Sequence, residues 1–143
     1  MAQPRFLFIC SLPEKGRSDR VHGAYTGAAT ATSVHEHVAW RLLGANNREL
    51  GRSPVWYPDL DSCLEAVRVL KREIGEVTSA ITAGTLPGGA WSWRLAVSGQ
   101  PVAVAGRPYH RHRECAYNLS HFVAAVPTAR IADEPCATVT VRR

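Results

Sequence analysis

The chain predicts an α+β fold, with two strand-strand-helix-strand repeats sharing an antiparallel sheet and two helices packed on one face. Three observations predict it. Residues 57–74 hold Leu60, Cys63, Leu64, Val67, Leu70 and Ile74 on one face of a 3.6-residue period, with Asp61, Glu65, Arg68, Lys71 and Arg72 opposite. Residues 38–43 and 91–97 alternate with period two, the signature of a half-buried strand. The whole pattern then returns about fifty residues on. Trp40-Arg41-Leu42 matches Trp93-Arg94-Leu95, Tyr57 matches Tyr109, and Cys63 matches Cys115.

Each element has its own warrant. In residues 1–36, RFLFIC reads as a short strand. Residues 12–36 are rich in Gly, Ser, Thr and Ala without a period, and read as a flexible, mildly basic loop carrying Lys15, Arg17 and Arg20. Residues 37–84 form the first repeat. Val38, Trp40 and Leu42 face the core and Arg41 faces away. Asn46-Asn47 is the turn, and Leu50 starts the partner strand. Asp59 caps the first helix, whose acids come early and bases late, as the helix dipole prefers. Ser79 to Thr82 is its return strand.

Residues 85–133 form the second repeat. Trp91, Trp93, Leu95 and Val97 face inward, and Ser92, Arg94 and Ala96 outward. Ser98-Gly99 is the turn and Val102 starts the partner strand. The second helix buries Cys115, Leu119, Phe122, Val123 and Val126, Pro127 closes it, and Ala129 to Asp133 returns. In residues 134–143, Val139 and Val141 alternate and suit a final edge strand. The link between the halves is short and no composition shift separates them, which predicts one fused domain.

These residues resemble the YegP-like repeat, a bacterial module of unknown function. The resembling positions are Arg41-Leu42, Asn46-Asn47, Ser53, Tyr57 and Cys63 in one copy. In the other they are Arg94-Leu95, Ser98-Gly99, Ala105, Tyr109 and Cys115. The resemblance covers roughly residues 37–133 and implies β-β-β-α-β units joined in one sheet with exchanged strands. The chain departs from it in a short spacer, in Ala105 where the pattern has Ser, and in the insert at 12–36. The resemblance supplies no catalytic residues.

The net charge is +5, from 17 Lys and Arg against 12 acids, which permits an anionic partner. No apolar run approaches the roughly 20 residues of a membrane helix or a signal-peptide core of about 7–15. A cytoplasmic protein with no membrane partner is expected. Cys10, Cys63, Cys115 and Cys136 form no C-x-x-C pair, so structural zinc is not expected, and a cytoplasmic chain is not expected to carry a disulfide framework. Cys63 and Cys115 read as small core residues. His35 and His37 lack a specified third ligand, and no metal or cofactor is expected. No G-x-S-x-G, P-loop or G-x-G-x-x-G occurs, and no catalytic residue is assigned.

The local conflict lies at the start of the second helix. Arg107, Tyr109, His110, Arg111, His112 and Arg113 crowd an N-terminus whose counterpart carries Asp59 and Asp61. Bases there oppose the dipole, while free amides and arginines suit an anion. Arg41, Arg52 and Arg94 are expected on the sheet face without helices. Trp40, Trp91 and Trp93 are expected in the core, and Trp56 exposed. The expected function is a non-enzymatic binding or accessory module whose basic surface takes nucleic acid, a ribonucleoprotein or an acidic protein. The alternatives are a small-anion-binding enzyme or sensor using the second helix's N-terminus, and a structural subunit of a larger assembly. Homo-oligomers through sheet edges are compatible with each.

Overall fold

The structure, a computed structural model, describes residues 3–12, 37–84, 88–132 and 137–140. Leu12, expected in the flexible loop, ends the first strand, while the rest of that loop with His35, and Asp133, Cys136, Val141 and the last two arginines, lie outside the described residues. Among the described residues, eight strands form one sheet. They are β1 (Arg5–Leu12), β2 (His37–Leu43), β3 (Glu49–Arg52), β4 (Thr78–Ala83), β5 (Trp91–Val97), β6 (Gln100–Val104), β7 (Arg130–Ile131) and β8 (Ala137–Thr140). Helix α1 is Leu60–Glu73 and α2 is His112–Ala125.

The strand order is β4-β5-β6-β3-β2-β1-β7, and β8 also pairs with β1. Both sides of β2 are occupied, by β1 and β3. The return strand of the first half therefore has no place at home, and β4 pairs with β5 of the second half. In the same way β7, after α2, pairs with β1. The sequence predicts an antiparallel sheet, and the sheet is mostly antiparallel. β7 and β8 run parallel to β1, and β7 reaches that edge from α2 rather than through a hairpin.

Corresponding residues of the two halves make corresponding bonds. Val38 and Tyr57 exchange backbone hydrogen bonds of 2.8 and 2.6 Å, and Trp91 and Tyr109 exchange bonds of 2.6 and 2.8 Å. The Ser53 amide donates to Trp40 (2.9 Å) and the Ala105 amide to Trp93 (3.0 Å). Asn47 takes a φ of 66° and Ser98 a φ of 50°, the left-handed turn geometry at which the two hairpins reverse.

Both helices lie on the face that carries Trp40, Leu42, Trp93 and Leu95. Cys63, Val67 and Leu70 of α1 and Cys115 and Phe122 of α2 are wholly buried there. The Phe122 ring stacks on Trp40 with centroids 6.2 Å apart and tilts against Trp93 at 4.9 Å. That approach requires Gly51, where an added Cβ would sit 2.6 Å from the Phe122 ring. Phe6 meets Trp40 edge-on at 5.3 Å.

Three expectations are corrected. Leu60 is 43% exposed, since the buried stripe of α1 begins a turn later, at Cys63. Trp91 is only half-buried, because it lies at the start of β5, past the packed centre. Lys71 is not left in solvent. Its ammonium donates to the carbonyls of Val126 (2.9 Å), Pro127 (3.2 Å) and Ala129 (2.6 Å) just past α2. One helix thus satisfies the carbonyls at the far end of the other. Burial holds the Lys71 pKa below its ordinary value.

Cys63 and Cys115 are free and buried. Burial pushes the Cys63 thiol up to about 12 and raises Cys115 as well, so both are inert core residues at neutral pH. Cys10, by contrast, is disulfide-bonded, where no disulfide framework was expected.

Candidate functional site

The predicted site residues fall into two groups on opposite sides of the sheet. Arg41, Arg52 and Arg94 form a row on the helix-free face. Arg41 pairs with Arg52, Arg52 with Val104, and Val104 with Arg94 across β2, β3, β6 and β5. Residues directly opposite in neighbouring strands share a face. With strands about 4.8 Å apart, the row spans roughly 14 Å.

The charges of the row are unequal. Arg52 is clamped by Glu49 through two hydrogen bonds of 2.7 and 2.9 Å, and Arg41 approaches the same carboxylate at 3.6 Å. The bond to Glu49 raises the Arg52 pKa. Arg94 is exposed and has no acidic partner among the described residues. At the other end, residues 54–56 bulge out between Ser53, bonded to Trp40, and Tyr57, bonded to Val38. They leave Val55 53% and Trp56 44% exposed. Trp56, Arg41, Arg52 and Ile9 line a shallow hollow of about 260 Å³. The exposed Trp56 was expected from the sequence.

The second group lies at the start of α2. Arg111 occupies the N-cap position without a capping side chain, whereas the Asp59 carboxylate accepts from the Ser62 amide at 2.7 Å in α1. Arg107 lies over the Tyr109 ring at 5.0 Å, and His112 meets Trp91 edge-on at 4.9 Å. Arg107, His110, Arg111, His112 and Arg113 are all exposed and Tyr109 is half-buried.

Arg107, Tyr109 and His110 open onto a groove of about 1010 Å³ between α2 and β3. Arg111, His112 and Arg113 do not line it. Its other walls were missed by sequence reasoning. Glu114, Tyr117, Asn118 and His121 come from α2, and Asn46, Arg48 and Glu49 from the first hairpin. A signal for the first four was available, since they recur at helical steps of three and four and so share a face. The hairpin's contribution was not legible, because it depends on β3 lying beside β6.

A related groove of about 630 Å³ lies at α1, where Tyr57, Asp61, Ser62, Glu65 and Ala66 face Pro101 and Val102. It stands at the matching place of the other half and carries two acids and no basic residue, where the α2 groove sets Arg48, Arg107, His110 and His121 beside Glu49 and Glu114. The Tyr57 hydroxyl pKa is raised by burial and by nearby Cys63. No cluster of metal-ligating side chains occurs among the described residues. No helix among them is long and apolar enough to cross a membrane.

A mostly antiparallel α+β sheet with two helices on one face, and strands exchanged between halves, defines the class of fold. The same fold is found in the protein of unknown function yegP from E. coli. It superposes with a TM-score of 0.54 at 12% identity, over 100% of this chain and 98% of that one. The UPF0339 protein SO3888 from Shewanella oneidensis superposes with a TM-score of 0.56 at 8% identity, over 94% of this chain and 92% of that one. Both likenesses are of fold. They agree with the YegP-like pattern read from the sequence. No family model and no curated protein sequence matches the chain.

Proposed function

We propose that the chain is a non-enzymatic binding module whose helix-free sheet face takes a single-stranded nucleic acid. The observation that carries this reading is the row of Arg41, Arg52 and Arg94 across four neighbouring strands, with Trp56 exposed beside it. Guanidinium groups suit phosphate oxygens, and an exposed indole offers a stacking platform to any base. Arg94 meets the backbone most directly, since Glu49 holds the other two. The α2 groove, with its uncapped helix start and Arg107, supports a second reading, a small anionic ligand bound there.

Fluorescence anisotropy separates the two. Labelled single-stranded RNA, duplex RNA and duplex DNA are titrated at low and physiological salt with three proteins. These are the wild type, Arg94→Glu, and the triple variant Arg107→Glu/Arg111→Glu/Arg113→Glu. Each arginine that neutralises a phosphate of a single strand adds about 0.7 to the slope of log affinity against log salt. Binding of single strands that fails in Arg94→Glu is expected, with Glu49→Gln binding more tightly than wild type because Arg41 and Arg52 are released. Binding lost only in the triple variant moves the site to α2. No binding by the wild type at physiological salt removes the nucleic-acid reading.

A further inference from the structure

The two sides of the sheet end differently. On the β1 side the sheet closes with β7, two residues long and carrying exposed Arg130, and with β8 beside it. Short strands and charges are the usual guards against unwanted pairing. On the other side the sheet ends on β4, Thr78-Ser79-Ala80-Ile81-Thr82-Ala83. That strand has six residues, no charge, no proline and an unbroken register of six pairs with β5. Every residue of it but the half-buried Ile81 is exposed.

The outward groups of β4 can be assigned. Trp91 exchanges both its backbone hydrogen bonds with Tyr109, at 2.6 and 2.8 Å, and so has none to share with Ala83. Hydrogen-bonded and non-bonded pairs alternate along an antiparallel ladder. Ala83, Ile81 and Ser79 therefore direct their N–H and C=O groups away from β5, to the open edge. The bond from the Gly84 amide to Ala90 (2.5 Å) fits the same alternation. No other backbone hydrogen bond reaches these groups among the described residues.

We propose that β4 is a self-association edge, pairing antiparallel with β4 of a second copy about a two-fold axis through Ile81. In that register Ile81 faces Ile81 of the second copy and Ser79 faces its Ala83. Each such pair exchanges two main-chain hydrogen bonds. On the helix-free face Ala80 faces Thr82 of the second copy. Nothing charged meets a like charge, and β4 is uncharged throughout, which favours its own copy over a charged segment. Ile81, already beside Trp93, is extended by its twin into a continuous apolar seam on the helix face. An isologous contact of this kind closes at two subunits. It does not rest on the nucleic-acid reading, although it would set two Arg94 rows side by side on one face. The contact is small, at the low end of interfaces below about 1,200 Å², so it dissociates on dilution.

The test is sedimentation equilibrium from micromolar to millimolar protein, with amide hydrogen exchange by NMR at both ends of the range. The mass is expected to double with concentration, and the Ser79, Ile81 and Ala83 amides to become protected as it does. Ser79→Pro removes an outward donor and leaves the β5 ladder whole. Thr82→Lys adds the missing edge charge on an exposed position. Each is expected to hold the monomer mass with an unchanged circular dichroism spectrum. A wild type that stays monomeric overturns the proposal. So does a dimer that survives Thr82→Lys, or one in which the three amides exchange at the same rate in dilute and concentrated samples. Should Ser79→Pro misfold, the wild-type exchange and Thr82→Lys still decide.

Discussion

Trp40 and Trp93 occupy matching places in the two halves and fare differently. The Trp93 indole donates to the Asn118 side chain at 2.5 Å, while the wholly buried Trp40 indole N–H has no acceptor among the described residues. The helix position that corresponds to Asn118 is Ala66, whose side chain cannot accept. A buried donor left unpaired costs about 1–3 kcal/mol, and a restored bond returns about 1 kcal/mol. Asn118→Ala is therefore expected to destabilise the chain by about 1–3 kcal/mol in urea unfolding. Ala66→Asn is expected to stabilise it by about 1 kcal/mol, with slowed exchange of the Trp40 indole proton. An Ala66→Asn variant without slowed exchange would show that the new amide does not reach the indole. The burial of Trp40 and Trp93 was legible from period two. Their unequal bonding was not, since it depends on which helix residue each ring meets.

The two helices are the elements on which stability and function pull apart. Asp59 caps α1, and the hydrogen bond from the Ser62 amide holds its carboxyl below its ordinary value of 3.8. A carboxyl with a depressed folded pKa stabilises the fold above its unfolded pKa, and that contribution disappears as pH falls through the folded value. The cap of α1 is thus whole at neutral pH and is lost only as pH falls below the ordinary carboxylate value. In α2 the same place holds Arg111, with Arg113 close behind in the first turn. Arg111→Asp supplies a capping acceptor and removes a base opposed to the dipole, and is expected to stabilise the chain by about 1 kcal/mol. If an anion docks on the free amides at the start of α2, the same variant weakens that binding while raising the melting temperature. A paired thermal and anion titration reads both. Helix periods, caps and the basic start of α2 were legible in sequence. Which of the basic residues line the groove was not, because its other wall comes from the first hairpin.

At the scale of the whole molecule, strand exchange decides how the chain unfolds. β4 follows α1 of the first half yet pairs with β5, and β7 follows α2 yet pairs with β1. Phe122 of α2 lies against Trp40 of β2 as well as Trp93 of β5. Lys71 of α1 ties the chain just past α2. Neither half can then keep its return strand, its ring stack or its helix end without the other, so the halves unfold together. The matching halves alone predicted one fused domain, since a pattern of strands does not say which strand pairs with which, and the exchange of strands was expected only from the YegP-like resemblance. The expectation is a single cooperative transition in denaturant. Trp40→Phe leaves fluorescence weighted to the second half, and Trp93→Phe leaves it weighted to the first. In each variant the fluorescence midpoint is expected to coincide with that of far-ultraviolet circular dichroism. Midpoints that separate, with one half's fluorescence changing before the other's, would mean that the exchanged strands do not couple the halves.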